Sequence, residues 1–571
     1  MEEYLWEISP NNEQRIQSLI EEANVTRPIA LVLDTRGITP ENVFDFLNPS
    51  LDTIGDPYLL PGTKEASIRL WQAIMDGQRI LIHGDYDTDG ITASALLAWV
   101  LRRNGGKVEC YLPHRIEDGY GLTPESITKA NAKRGDLLIT VDCGITSYDA
   151  VKLAKELELD VIITDHHTPG NEPLDVIAVV DPKLPGSPPE IQELAGVGVA
   201  FKVCQAFLKY GRENGYGGED TDLSMGLDLV ALGTVADIVP LLHENRVLVK
   251  HGLSILAQQR RPGIHALCDI SGVNKTLSTT DITYRLAPRI NASGRMGDPT
   301  DSLKLLESTS MSTAGELARI LNDKNKERQT IEEAVVTAAE EQIAKRCDLK
   351  TIRSLVVWAD NWHQGVVGIV ASRLTRKYHR PSVVLTRDPN GQFTGSARSI
   401  RRLDLVDLLG ECKDTLLRFG GHAMAAGLSL TEDKLESFCK QFDAAVQRVL
   451  GIESMKPQLT VCGEVSFNEL DSIFFEELKM LEPFGHGNQE PAFLTKCVYP
   501  DGMRAISKSA KNHSTGNVYD REGSKMPFIA FGRAPEDFPP PPWDIVYTLH
   551  LNTFNNMNIH QLRILDVRAS R

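Results

Sequence analysis

The sequence predicts a multidomain α/β protein with a largely parallel sheet, a long connecting helix, a second α/β unit and a final small β-barrel. Its 571 residues are too many for one hydrophobic core. From about residue 78 to 239, short apolar runs alternate with helical patterns, which is typical of βαβ units and parallel sheets. After Pro457 the chain carries only short strand patterns, which predict a small barrel or sandwich.

These patterns divide the chain into five predicted segments. No proline or glycine interrupts Glu316–Arg346, and apolar residues recur there at helical spacing, so this stretch is predicted as one long helix. The predicted segments are a helical leader (1–55), a first α/β domain (56–312), the connecting helix (313–346), a second α/β domain (347–452) and the β-barrel (453–571).

Composition narrows the class of protein. No run of about 18 apolar residues predicts a membrane span, and the amino terminus lacks the pattern of a secretory signal. The nine cysteines form no C-x-x-C pair, which is typical of reduced thiols in the cytoplasm. The formal net charge of −16 disfavours nucleic-acid binding through global charge but leaves room for a local basic groove.

Four acidic clusters follow apolar runs that we predict to be buried strands. Carboxylates at the ends of neighbouring parallel strands converge on one crevice, where so much negative charge requires cations. The clusters are Gly84–Gly90, Val141–Gly144, Thr164–His167 and Val235–Asp237, after the runs Ile80–Ile82, Leu137–Ile139, Val161–Ile163 and Leu229–Leu232. The sequence therefore predicts a metal site.

Each cluster alone also has a simpler interpretation. His83, Asp87 and Asp89 follow the spacing H-x3-D-x-D, which fits a metal loop, a calcium loop or a solvated turn. Asp142 and Asp237 could be ordinary helix caps. His166 and His167 could be surface residues, or Asp165 could hold one of them in a single tautomer. These alternatives stay open for each cluster taken by itself.

Counting charges favours two metal ions. Asp87, Asp89, Asp142 and Asp237 supply four negative charges, which two divalent cations would neutralise. Mixed carboxylate and imidazole ligands suit Mn²⁺ or Mg²⁺. Two such ions about 4 Å apart can lower the pKa of a water and stabilise both oxygens of a phosphoryl displacement.

The clusters resemble the four motifs of the DHH phosphoesterase superfamily. Downstream segments resemble one branch of it, the bacterial RecJ family of single-strand-specific 5′→3′ DNA exonucleases, over residues 50–570. These segments are Gly233–Leu241, Pro288–Met296, Gly365–Ser372 and Phe419–Gly427. The resemblance implies a DHH-type catalytic lobe, a DHH-associated second lobe and an OB-like third domain.

The resemblance also implies roles for the metal-site residues. His83, Asp87 and Asp142 would hold one cation, and Asp142 would bridge to the second. Asp89, His166 and Asp237 would complete the second site. His167 would be catalytic beside the scissile phosphate, together with Asp142. Asp85 and Asp165 would be either ligands or neighbours of ligands.

A further set of residues would hold the DNA strand. Gly395–Ser399 resembles a phosphate-binding turn of the family, with alanine at 397 where glycine is usual. The implied substrate contacts are Arg115, Arg289, Asn291, Arg295, Ser396, Arg398 and His422. In the OB-like domain, bases could stack on the aromatic residues Phe528, Phe531, Trp543, Tyr547 and Phe554. The DNA backbone could contact Lys508, Lys511, Arg533 and Arg563. At least half of the aromatic residues are expected to be buried.

The resemblance implies a two-metal exonuclease that releases 5′ mononucleotides from single-stranded DNA during repair and recombination. A cleft too narrow for duplex would give the strand selectivity. Single-strand-binding protein and a RecQ-type helicase are the implied partners of a cytoplasmic monomer, and no fourth docking domain is expected. Two alternatives are a phosphoesterase for small substrates, disfavoured by the third domain, and a non-catalytic DNA-binding scaffold, disfavoured by the intact Asp and His set.

Overall fold

The computed structural model confirms the predicted α/β class. It describes the whole chain except residues 1–3, 115–120, 133–134, 274–275, 389, 452–454, 507–512, 555–556 and 571, and the side chains of 552–554 and 557–558. Two compact units are present. One comprises residues 56–237 and 252–455, and the other comprises residues 1–55, 238–251 and 456–571. No helix in the described part of the chain is both long and apolar enough to cross a membrane.

The helices and strands are numbered in chain order. The helices are α1 Glu13–Ala23, α2 Arg27–Thr35, α3 Val43–Leu47, α4 Thr63–Met75, α5 Thr88–Arg103, α6 Pro124–Ala132, α7 Tyr148–Glu156, α8 Gly196–Asn214, α9 Leu227–Ala236, α10 His243–Leu256, α11 Pro262–Ser271, α12 Thr279–Asp281, α13 Ala287–Met296, α14 Thr300–Glu307, α15 Met311–Arg346, α16 Gln364–Tyr378, α17 Leu405–Gly410, α18 Leu435–Leu450 and α19 Ser472–Met480. The strands are β1 Leu5–Ile8, β2 Arg79–His83, β3 Lys107–Tyr111, β4 Leu137–Thr140, β5 Asp160–Thr164, β6 Ala178–Val180, β7 Leu355–Ala359, β8 Ser382–Arg387, β9 Phe393–Arg398, β10 Arg418–His422, β11 Ala425–Leu430, β12 Gln458–Val461, β13 Gly463–Glu464, β14 Phe493–Ile506, β15 His513–Tyr519, β16 Lys525–Ala530, β17 Trp543–Phe554 and β18 Met557–Ala569.

The first sheet is fully parallel, with the strand order β3-β2-β4-β5-β6. The central strands are apolar throughout: β4 is buried at all four positions, and β5 at four of five. Helices on both faces of such a sheet remove both sets of side chains from water, which explains the continuous apolar runs. The three strands predicted before the first three acidic clusters are therefore confirmed as β2, β4 and β5.

The fourth predicted strand is wrong. The run Leu229–Leu232 lies inside helix α9, and Asp237 follows the end of that helix. Every residue from Leu227 to Val235 is buried, so the helix has no solvent-facing side and shows no amphipathic period. Periodicity alone cannot distinguish a short buried helix from a buried strand.

The predicted connecting helix is confirmed as α15, which runs from Met311 to Arg346. It leads into a second sheet with the order β10-β11-β9-β8-β7, in which only β7 and β8 are parallel. Gly395–Ser399 was predicted as a turn, but residues 395–398 lie in the middle and end of strand β9, between β8 and β11. Buried Ala397 pairs there with Val383 and Ala426.

The predicted β-barrel lies in the unit formed by residues 1–55, 238–251 and 456–571. Strands β14, β15, β16, β18 and β17 close into a ring through the pairing of β14 with β17. Five strands closed in this way match the OB architecture. The amino-terminal helices α1 and α2 contribute Leu19, Ile29 and Leu33 to the same hydrophobic core as Phe493 and Trp543 of the barrel. Residues 1–55 thus belong to the barrel unit rather than forming a separate leader.

Candidate metal centre and active site

The acidic clusters meet at the carboxyl ends of three neighbouring strands and at the end of one helix. β2 ends at His83, β4 is followed by Asp142, and β5 is followed by Asp165 and His166. Asp237 reaches the same place from the end of α9. Among the residues that the structure describes, ligand atoms within 4.8 Å of one another form three groups: Asp142, His166 and His167; Asp89, His166 and Asp237; and Asp85, Asp87 and Asp142.

Local structure fixes the first two carboxylates. Asp87 is the N-cap of α5, and its Oδ1 accepts hydrogen bonds from the backbone N–H groups of Asp89 and Gly90. Asp89 accepts hydrogen bonds from the backbone N–H groups of Gly196 and Val197 at the beginning of α8, at 2.7 and 2.9 Å. Helix N-termini stabilise negative charge, so each carboxylate is held by the positive end of a helix.

Asp142 occupies a strained position. Its φ of 63° lies in the left-handed region, which residues other than glycine seldom adopt. A Cβ atom on Gly196 would come within 2.6 Å of the Asp142 side chain, so only glycine fits there. The strained backbone and the neighbouring glycine together aim the Asp142 carboxylate into the cluster.

Burial and mutual repulsion oppose ionisation of these acids. Burial and the charge of Asp87 raise the pKa of Asp89 to about 7. Burial and the charge of Asp89 raise the pKa values of Asp142 and Asp237 well above the ordinary range. A bound cation would reverse this effect, because the positive charge favours the ionised carboxylates.

The donor set fits a divalent cation. Burial lowers the pKa of His166 to about 3, so its imidazole is neutral and its approach to Asp142 is not an ion pair. His166 Nε2 lies 3.1 Å from Asp142 Oδ1 and 3.6 Å from Asp237 Oδ2. Within the described part of the chain, neither His166 Nε2 nor Asp142 Oδ1 has a hydrogen-bond partner. Buried polar atoms of this kind are the expected ligands of an ion.

Asp165 is hydrogen-bonded to protein groups and belongs to none of the ligand groups found within the described part of the chain. Its Oδ2 accepts a hydrogen bond from the Ile145 N–H, and its Oδ1 accepts from the His166 N–H and lies 2.7 Å from His167 Nδ1. Burial alone would raise the pKa of Asp165, but the hydrogen bond and charge of His167 lower it below its usual value. The tautomer-fixing contact predicted for a histidine in this cluster is therefore made to His167.

His83 and Asp85 differ in how well the structure supports them as metal ligands. Asp85 belongs to one of the three groups of ligand atoms, whereas none of the groups found among the described residues includes His83. His83 is buried, with Nδ1 3.7 Å from the thiol of Cys143. The geometry thus supports Asp85 as a candidate ligand, and the role of His83 stays a prediction.

The second lobe brings His422 to the site. The rings of His167 and His422 are nearly parallel, 6.2 Å apart between centroids. On β9, Arg398 donates a hydrogen bond to Ser396 Oγ at 2.6 Å. Arg398 and Ser396 lie beside helix α16, because a Cβ atom on Gly368 of that helix would lie 3.1 Å from the Arg398 guanidinium.

The other predicted substrate residues lie mainly on α13. Arg289 donates hydrogen bonds to Asn322 of α15 and to the Arg285 carbonyl. Asn291 accepts hydrogen bonds from Thr88, and Arg295 donates one to the Gly365 carbonyl. Arg115 lies outside the described residues, as do Lys508 and Lys511.

The barrel aromatics are mostly core residues, as predicted. Phe528, Trp543 and Tyr547 are buried, whereas Phe531 is 55% exposed. The Arg563 guanidinium lies over the Phe531 ring, 5.6 Å from its centroid. Arg533 instead pairs with buried Asp566 at 3.0 Å. The side chain of Phe554 is outside the described part of the structure.

One buried acid at the site was not predicted. Asp181 follows β6, which pairs with β5. The Asp165 N–H donates a hydrogen bond to the Val180 carbonyl at the end of this pairing. Asp181 is fully buried, its Oδ1 accepts a hydrogen bond from the Lys183 N–H, and burial raises its pKa to about 7. The apolar run 177–180 before Asp181 was the sequence signal that could have identified it.

Comparisons with known proteins agree with this architecture. Residues 79–234 match the DHH family N-terminal domain, residues 351–448 the DHHA1 domain and residues 463–566 the RecJ OB domain. The single-stranded-DNA-specific exonuclease RecJ of Bacillus subtilis is 36% identical over 99% of this chain and 71% of its own length. The chain belongs to the RecJ family.

Two further relatives support the assignment to the RecJ family. The RecJ exonuclease of Escherichia coli is 38% identical over 76% of this chain and 78% of its own length. The crystal structure of Thermus thermophilus RecJ in complex with Mn²⁺ superposes with a TM-score of 0.85 at 29% identity, covering 99% of this chain and 80% of that one. Another structure of the same protein, in complex with Mg²⁺, gives a TM-score of 0.78 at 27% identity.

Proposed function

We propose that this protein is a divalent-cation-dependent exonuclease that hydrolyses single-stranded DNA from the 5′ end and releases 5′ mononucleotides. The observation that carries the proposal is the cluster of buried Asp89, Asp142 and His166 with half-buried Asp87 and Asp237 at one sheet edge. Membership of the RecJ family, whose relatives are single-stranded-DNA-specific exonucleases, supports the substrate class.

In this proposal Asp142 is shared by two cation sites. Asp87 would serve the first site, with His83 or Asp85 completing it, and Asp89, His166 and Asp237 would serve the second. Two observations support this division: Asp142 groups with Asp85 and Asp87 on one side and with His166 on the other, and His166 also groups with Asp89 and Asp237. Mn²⁺ or Mg²⁺ bound there would supply activation of water and neutralisation of the charge on the departing 3′ oxygen.

His167 is the residue proposed to exchange a proton with the reacting groups. The hydrogen bond to Asp165 fixes its orientation, and the His422 ring of the second lobe lies nearly parallel to its ring, 6.2 Å away. A histidine held in this way can act as a general acid or donate a hydrogen bond to the phosphate.

Ser396 and Arg398 would bind the terminal 5′ phosphate, since an arginine beside a hydroxyl makes charge-assisted hydrogen bonds to phosphate oxygens.

A nuclease assay tests the proposal. Purified protein with Mn²⁺ is given a single strand labelled at its 5′ end, the same strand labelled at its 3′ end, and the blunt duplex. We expect labelled mononucleotide at once from the first substrate, a shrinking ladder from the second, and little cleavage of the duplex. Release of mononucleotide first from the 3′-labelled strand, or equal cleavage of the duplex, would contradict the proposed polarity or strand selectivity.

A matched pair of variants tests the site. Asp142→Ala should lower activity at least about a hundredfold, the loss reached when a metal site loses even an outer partner. Asp175→Ala is the control, because Asp175 forms a surface ion pair with Lys155 in the same domain. Activity retained in Asp142→Ala and matching the control would refute the metal centre.

The cellular setting is also part of the proposal. We place the protein in the cytoplasm as a monomer that acts in DNA repair and recombination with single-strand-binding protein and a RecQ-type helicase. The reduced state of its cysteines fits that compartment, since all nine are free thiols. Light scattering tests the monomer, and co-purification with each partner, with and without nuclease treatment, separates protein contacts from shared DNA.

A further inference from the structure

Helix α13 packs against the loop that carries the first two carboxylates. Asn291 Oδ1 accepts hydrogen bonds from the Thr88 N–H at 2.8 Å and from the Thr88 hydroxyl at 2.9 Å. Thr88 is buried and lies between Asp87 and Asp89 in the sequence. One amide oxygen on α13 therefore holds the residue that separates two candidate cation ligands.

The backbones of the helix and the loop are also in close contact. A Cβ atom on Gly294 would lie 2.7 Å from the Tyr86 carbonyl oxygen and 3.3 Å from its Cβ atom. Because any side chain at 294 would push the loop away, glycine allows α13 to approach this closely. The loop cannot shift toward α13, and the Asn291 contact opposes its shift away.

The same helix contacts the second lobe. Arg295 donates a hydrogen bond to the Gly365 carbonyl at 3.4 Å, and a Cβ on Gly365 would lie 2.3 Å from the Arg295 carbonyl oxygen. Gly365 is in the first turn of α16, the helix beside Arg398. Contacts thus run from the proposed phosphate-binding residue through α13 to Thr88.

We propose that Asn291 is a positioning residue for the cation site, which sets the placement of Asp87 and Asp89 through Thr88. The proposal rests on the proposed function only in assuming that these carboxylates bind divalent cations. It assigns Asn291 a task different from the strand contact that the family resemblance implies. A contact with DNA would act on substrate affinity, whereas positioning of ligands acts on cation affinity even without DNA.

Mn²⁺ titrations without DNA, followed by electron paramagnetic resonance, provide the test. The Asn291→Ala variant should bind Mn²⁺ about 10- to 100-fold more weakly, as is typical when the partner of a metal ligand is lost. At saturating Mn²⁺ its KM for single-stranded DNA should equal that of the wild type. The control is Asn214→Ala, a surface asparagine whose side chain donates a hydrogen bond to the Tyr210 carbonyl within its own helix.

A double-mutant cycle gives a second, milder test. Thr88→Val removes the hydroxyl donor but keeps the backbone donor, so it should weaken Mn²⁺ binding less than Asn291→Ala. In the double variant the two losses should not add, because both act on one contact. Melting temperatures of all variants show whether each is folded.

The outcomes separate this inference from the proposed function. A wild-type protein that neither binds Mn²⁺ nor cleaves single strands would refute the proposed function. If the wild type does both, normal Mn²⁺ affinity in Asn291→Ala with a raised KM for DNA would overturn the positioning role in favour of a strand contact. Full additivity in the cycle would also overturn it.

Discussion

His167 donates a hydrogen bond from Nδ1 to Oδ1 of Asp165 over 2.7 Å. The direction follows from charge, because the lowered pKa of Asp165 makes it a carboxylate, which can only accept. The same oxygen accepts the backbone N–H groups of His166 and His167, so the acid also shapes the turn that carries both histidines. Asp165 thus orients the proposed proton-transfer residue without belonging to the candidate ligand groups.

The Asp165→Asn variant should lower kcat while leaving Mn²⁺ affinity close to that of the wild type. An amide at this position can present its NH₂ group to His167 and stabilise the wrong tautomer. A decrease of about 10- to 100-fold is expected for losing such an orienting partner. Single-turnover rates at saturating Mn²⁺ measure the effect, with Asp175→Asn as control. A large loss of Mn²⁺ affinity with unchanged kcat would instead make Asp165 a ligand.

The Gly196→Ala variant should disrupt the cation site although Gly196 contributes no ligand atom to it. The added Cβ atom would lie 2.6 Å from the Asp142 side chain, which must then move. Overpacking of this kind costs about 1–3 kcal/mol of folding free energy. Chemical denaturation should show that loss, and Mn²⁺ titration should show weaker binding. Gly215→Ala near the end of the same helix meets no atom within 4 Å but has a φ of 69°, so it separates backbone strain from steric contact.

The Arg398→Ala variant should remove the preference for a 5′ phosphate. Each hydrogen bond to a charged group contributes about 1.5–3 kcal/mol, which corresponds to roughly a 10- to 150-fold change in affinity. The ratio of kcat/KM for 5′-phosphorylated and 5′-hydroxyl strands measures this preference. An unchanged ratio would show that another group, with Arg115 the predicted candidate, recognises the phosphate.

Two aromatic residues of the barrel should respond differently to truncation. Exposed Phe531, beneath the Arg563 guanidinium, is positioned to stack with a base, so Phe531→Ala should weaken binding of long single strands by about 1–3 kcal/mol. Buried Phe528→Ala should instead destabilise the fold by about 3–5 kcal/mol. Fluorescence anisotropy and denaturation measure the two effects. Equal DNA affinity in Phe531→Ala and wild type would remove the stacking role.

Much of the site could be predicted because the carboxyl ends of neighbouring parallel strands lie together at one edge of a sheet. Continuous apolar runs ending in Asp142 or Asp165 indicated strand ends, and strand ends of one parallel sheet lie together. Asp237 was placed correctly in the cluster but on the wrong element, since its short apolar run is a buried helix. Asp181 also follows an apolar run, at 177–180, but the sequence does not show that this run pairs with the strand that precedes Asp165.

Other features could not be predicted because they depend on distant parts of the chain. The contact of Gly196 with Asp142 and that of Asn291 with Thr88 join segments that are 54 and 203 residues apart. The packing of α1 and α2 into the barrel core joins the two ends of the sequence. Local patterns carry no information about such pairings, which follow from the tertiary fold.

The central claim is that the cluster around Asp142 binds two divalent cations. Anomalous diffraction from crystals grown with Mn²⁺ tests it most directly. We predict two anomalous peaks about 4 Å apart, both within coordination distance of the Asp142 carboxylate, with His166 beside one of them. A single peak, or peaks that leave Asp142 without a cation, would contradict the two-metal account.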